Sequence, residues 1–167
     1  MEMDQNLVEI WLRRDPIRWI SGAIAGLFAS TVAILVAGGI ASRYGFEFWF
    51  PLKLLGTILI GPSATEFGLD RGGMVAGGVL FEVLGLFLGV VYAHFTGTNR
   101  LLVLIPMGLV WGIFSWIFIW NLFMQSFPTI RAASIPPGPV FPICISFGLC
   151  LIFVPFFESL FRPRRKA

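Results

Sequence analysis

Residues 77–89 read GGVLFEVLGLFLG, an uncharged, glycine-studded run except for one acid, Glu82, near its middle. Followed outward in both directions, the run meets no other charge between Gly72 and His94. A hydrocarbon core about 30 Å thick takes roughly 20 apolar residues of α-helix to cross. The stretch therefore has the length of a membrane span with a carboxyl group at mid-depth. Three further windows are long enough and carry no charge, so the predicted spans are residues 19–41, 72–94, 101–123 and 138–157.

Composition agrees. Of the 167 residues 57% are hydrophobic and 13% charged, and the mean hydropathy is +0.86. Soluble domains are about a quarter charged, so this chain has too little polar surface to face water all round. The apolar runs do not alternate with polar residues as barrel strands do. The expected fold class is therefore an all-α membrane protein, one integral-membrane domain over residues 1–167 with four transmembrane helices. The first apolar run is longer than the 7–15-residue core of a signal peptide, which predicts a retained helix.

Four spans place both termini on one side. That side would carry Arg13, Arg14, Arg18, Arg100, Arg162, Arg164, Arg165 and Lys166; the other carries Arg43, Lys53, Arg71 and Arg131. The excess predicts cytoplasmic termini, in a bacterial inner (plasma) membrane. Arg162, Arg164, Arg165 and Lys166 form a juxtamembrane basic cluster suited to lipid headgroups. A pI near 9.3 without aromatic interleaving or a binding module does not indicate nucleic acid. The expected partners are membrane lipids and other integral-membrane subunits.

Between the termini and the spans lie two shorter elements. Leu7, Ile10, Trp11 and Arg14 make one helical stripe, predicting a short N-terminal interfacial helix that stops at Asp15–Pro16. Residues 42–71 are the long connection on the opposite side. Phe46, Phe48, Trp49 and Phe50 suit an aromatic belt at headgroup level. An apolar dozen between Pro51 and Pro62 is too short to span and suits an interfacial or re-entrant segment. The stretch 127–142, FPTIRAASIPPGPVFP, reads as a stiff external loop.

Small residues recur every four positions: Gly22 and Gly26 beside a row of alanines in the first span, Gly73/Gly77 and Gly85/Gly89 in the second, Gly108/Gly112 in the third. Lipid tails are as apolar as leucine, so membrane helices associate by close backbone approach, which such rows permit. Those eight glycines are the predicted packing positions, and they imply a compact bundle. The third span carries Trp111, Phe114, Trp116, Phe118, Trp120 and Phe123 around most of its circumference, more than lipid anchoring requires.

Glu82 shares a stripe with Gly78, Gly85 and Gly89, which predicts that it points into a packed interface rather than lipid. Counting from the helix ends places it level with Ser30 and Thr31, with Trp111 to Ser115, and with Ser146 to Cys150. An ion at that depth costs ~3 kcal/mol or more, and no basic residue lies at the same depth. The expected state is a neutral carboxyl bonded to a hydroxyl or backbone carbonyl.

His94, the one histidine, excludes bis-histidine haem within the chain. It leaves open a chlorophyll-type pigment, or a haem held with Met107. No cofactor follows with certainty and no metal-ligand spacing is present. Cys144 and Cys150, six apart on one helix, point to different sides and cannot pair. No nucleophile–base–orienter set is visible, so the expectation is not an enzyme. The leading reading is a non-catalytic accessory subunit of a larger membrane complex, of the respiratory or photosynthetic electron-transfer kind. The alternatives are a small homo-oligomeric transporter or channel coupled through Glu82, and a pigment- or haem-binding subunit using His94.

Overall fold

The computed structural model describes residues 15–65, 71–133 and 135–162. Its long helices are α1 (Pro16–Arg43), α3 (Arg71–Phe95), α4 (Leu101–Phe118) and α6 (Pro137–Cys150). α4 runs on through a π turn, Ile119–Phe123, to Ser126. α6 continues through a 3-10 turn, Leu151–Phe153, into α7 (Val154–Phe161). These make four rods long and apolar enough to cross a membrane. Two shorter helices, α2 (Phe50–Ile60) and α5 (Pro128–Ala132), lie on the side opposite the described ends of the chain. The side holding Pro16, Phe95, Leu101 and Phe161 is called basal here.

Local chemistry sets the rod ends. Asp15 and Pro16 begin α1. The Asp15 side chain accepts a hydrogen bond from the Arg18 backbone N–H at 3.2 Å, and Pro16 occupies the first turn, where its missing N–H is harmless. The first span thus starts three residues before the sequence estimate. The predicted N-terminal interfacial helix lies outside the described residues. In the fourth rod Pro155 has no N–H to give the Leu151 carbonyl, and the chain tightens there into its 3-10 turn. The stretch 127–142 is less of a loop than expected, since α5 and the first turns of α6 occupy it. Prolines at the start of each are compatible with a first helical turn.

α1 is the central helix, with 39% of its most apolar window buried against 17% for α3. Its two rows of small residues serve two partners. Gly22, Gly26 and Ser30 meet Ala93, Gly89 and Gly85 of α3 in an antiparallel ladder. Ala25, Ala29 and Ala33 share one core cluster with Phe147, Leu151 and Val154 of the fourth rod and with Tyr92.

α3 also serves two partners. Its basal half holds α1 through Gly85 and Gly89, while Gly73 and Gly77 lie against Gly56 and Leu52 of α2. α2 therefore runs along α3. Leu52 abuts Gly77, six positions inside Arg71, so the start of α2 dips about 9 Å along the rod. Phe48 sits on Gly38 of α1, while Phe46 stacks on Phe50 with ring centroids 4.6 Å apart. Lys53, 1% exposed, is ion-paired with Glu47 within this segment.

The rods do not close into the compact bundle that the glycine rows implied. α4 packs on α6, where Gly108 and Gly112 meet Gly148, Cys144 and Ile145. In space the order is α3, α1, α6–α7, α4, an arc whose two ends are consecutive in sequence. The reason is that α4 has a single row of small residues, and α6 occupies it. Large side chains cover the rest of α4, with Val110 65% and Phe114 52% exposed.

Candidate functional site

Two polar centres and one apolar cleft lie within this frame. The first centre is Glu82. The α1–α3 ladder brings it beside Ser30 and Thr31, at the depth expected. Ser30 Oγ bonds Glu82 Oε2, and Thr31 Oγ1 reaches Oε1 at 3.0 Å. Both hydroxyls also reach the Leu27 carbonyl, at 3.0 and 2.9 Å. The expected direction needs correction, however. Glu82 is half-buried, on the rim of the packed face rather than inside it. Val75, Val79 and Leu86, on its flank of α3, are all exposed. The buried row is Gly73, Gly77, Gly85 and Gly89, and Glu82 stands beside it because steps of four, not of three, follow the helix contact.

The second centre, at the basal end, was not foreseen. Arg18, 3% exposed, sends all five of its N–H donors to partners. Nε donates to the Ala93 carbonyl at 3.1 Å, and one terminal nitrogen to Asn99 Oδ1 at 3.1 Å and Glu158 Oε2 at 2.7 Å. The other terminal nitrogen donates to the carbonyls of Thr96 and of Thr98, the latter at 3.1 Å. Arg18 thereby caps the open carbonyls where α3 ends, a position its charge also favours through the helix dipole. Glu158, 2% exposed, is held from its other oxygen by Arg162 at 2.6 Å, and Arg162 also reaches Asp15 at 2.7 Å. The network fastens α1, α3 and α7 together. Arg162 of the predicted headgroup cluster, its side chain half-exposed, makes these ion pairs; Arg164, Arg165 and Lys166 lie outside the described residues. An apolar-to-Glu switch at position 158 inside a long apolar run was the available signal.

The cleft lies between α3 and α4, which meet chiefly through Tyr92. Its ring contacts Trp111 edge-on at 5.8 Å, and its hydroxyl faces the Leu104 carbonyl at 3.5 Å. Beside it is a cavity of about 280 Å³ lined by Tyr92, Phe95, Thr96, Pro106, Met107, Val110 and Trp111. Because that hydroxyl contact is long, Tyr92→Phe is expected to cost under about 1 kcal/mol. Tyr92→Ala, which removes a fully buried ring, should cost about 3–5 kcal/mol. Denaturant titration in detergent, followed by tryptophan fluorescence, distinguishes the two.

His94 and Met107 are not brought together. His94 accepts a hydrogen bond from Trp19 Nε1 at 3.3 Å on α1, whereas Met107 lines the cleft. Among the described residues no three of His, Cys, Asp and Glu converge as a metal site. Cys144 and Cys150 are free thiols.

Together these features define an all-α, multi-pass membrane protein. Comparison with protein-family models, curated proteins and solved structures returned no match.

Proposed function

We propose that the chain is a non-catalytic subunit of a larger integral-membrane complex, docking other membrane helices on the open side of its arc. The observation that carries this reading is the splay of α3 from α4. The consecutive rods leave an apolar cleft between them, and α4 is fastened chiefly to α6. A monomer made for isolation in lipid gains nothing from that gap, since close helix packing is what holds such proteins together. A partner helix filling it would cover the uncommitted aromatic flank of α4. Transport through a single chain finds less support, because Glu82 is not among the residues lining the cleft. The excess of basic residues on the terminal side supports cytoplasmic termini, in a bacterial inner membrane.

Purification in a gentle detergent followed by native mass spectrometry tests this. Foreign membrane polypeptides in defined ratio are the expected result. A complex made only of copies of this chain would overturn it and favour the small transporter. Because the assembly proposed first is a respiratory or photosynthetic one, an absorption spectrum of the same material checks directly for haem or pigment.

A further inference from the structure

Glu82 lies at mid-depth, eleven positions inside Arg71 and thirteen before Phe95, yet it is only half-buried and its neighbour Thr31 is exposed. The exposed side chains around the pair are aliphatic: Leu27 and Leu35 a turn either side of Thr31 on α1, and Val75, Val79 and Leu86 beside Glu82 on α3. None of these residues lines the cleft between α3 and α4. Ser30, Thr31 and Glu82 are thus a polar spot set into an apolar outer seam of the α1–α3 pair. Ionised or neutral, a carboxyl group has more hydrogen-bonding capacity than the two hydroxyl contacts fill. Hydrocarbon offers nothing for the remainder, and acids within membrane spans almost always face protein or a water-filled cavity. That favours protein over lipid on this face.

We propose that the seam docks a transmembrane helix of a different polypeptide, which presents a hydrogen-bond donor (an amide, hydroxyl or basic side chain) level with Glu82. This docking face rests on the reading of the chain as one subunit of a complex and is additional to the cleft. Among the described residues the chain itself brings no such donor to the spot. On α1 Arg18 and Arg43 are each a dozen positions from the hydroxyls, about 18 Å along the axis. On α3 Arg71 and His94 are eleven and twelve positions from Glu82. On α2 Lys53 is nearer but is ion-paired with Glu47. A second copy in the same orientation fares no better at this level. Its Ser30 and Thr31 face their own Glu82, Ser146 Oγ donates to the Ile143 carbonyl at 2.8 Å, and Trp111 Nε1 and Ser115 Oγ are buried. Only the weak thiol donor of Cys150 is left, beside another carboxyl group.

Photocross-linking in the membranes of the cells that make the protein tests this. An aliphatic diazirine side chain is placed at position 86, on the seam, and in a second sample at position 110, in the cleft. From position 86 the expected adduct joins one foreign polypeptide, at an apolar run with an amide, hydroxyl or basic side chain within a turn of the joined residue. Its yield should fall about three- to thirty-fold in Glu82→Leu, the worth of one interhelical hydrogen bond. Val79→Trp keeps Glu82 but sets a bulky ring at an exposed position of the seam, and should abolish the adduct while the amount of chain in the membrane is unchanged. An adduct to lipid alone or to a second copy overturns the proposal, as does a yield that both variants leave unchanged. If position 110 joins a foreign polypeptide while position 86 joins only lipid, the subunit reading stands and the seam falls. If neither position joins one, both fall.

Discussion

Glu158→Leu is expected to destabilise the protein by about 3–5 kcal/mol, the cost of breaking a buried ion pair from one side. Arg18 keeps its three carbonyl contacts and Asn99 in that variant, but its charge, 3% exposed, loses the Glu158 carboxylate. Removing both charges together, as Arg18→Met with Glu158→Leu, should cost less than Glu158→Leu alone, because both members of the buried pair go at once. The carbonyls of Ala93, Thr96 and Thr98 would then lack their cap, so the double variant is not expected to reach wild-type stability. Arg162→Ala is the internal scale. It deletes two ion contacts, to Asp15 and Glu158, yet its side chain is 50% exposed. Screening limits such a residue to about 1 kcal/mol or less. Denaturant midpoints in one detergent rank the four proteins. A Glu158→Leu midpoint equal to that of Arg162→Ala would show that the network does not hold the basal end.

Gly26→Ala is the second large effect. A methyl group there would run into the Gly85 carbonyl and lie 3.1 Å from the Gly89 Cα. Both obstacles are backbone, so α1 and α3 must separate rather than a side chain turn aside. Overpacking of this kind costs about 1–3 kcal/mol and occasionally more. Gly39→Ala, on the same helix, meets nothing within 4 Å and replaces a poor helix former. It should be neutral or stabilising by about 0.5–1 kcal/mol. Opposite signs for one chemical change on one helix separate packing from propensity. Thermal unfolding that lowers the midpoint equally for both would contradict the α1–α3 contact described here.

The four spans were legible because their signal is local and one-dimensional: a run of apolar residues either reaches across about 30 Å or does not. The depth of Glu82 was legible for a related reason, since rods of similar length bring their midpoints level. The same count left Ser30 and Thr31, Trp111 to Ser115 and Ser146 to Cys150 equally eligible, and only the α1–α3 ladder chose the first pair. The small-residue rows were legible too, but not their partners. Gly73 and Gly77 look like Gly85 and Gly89 in sequence; one pair holds α2 and the other α1. Their partners Gly56 and Gly148 stand alone in sequence, without a second glycine four positions away, and passed unnoticed.

The basal network was illegible for a different reason. Arg18 and Glu158 are 140 positions apart, and each reads as an ordinary charge near a span end. Sequence by itself determined that this polypeptide is a set of four membrane-crossing helices with one acid at mid-depth, because lipid tolerates few alternatives for an exposed backbone. Only tertiary structure decided which helices touch, that α3 and α4 stand apart, and that the acid lies on a rim. Contacts between rods depend on which surfaces fit at van der Waals distance, and in a solvent as apolar as the rods themselves, hydropathy carries no information about that choice.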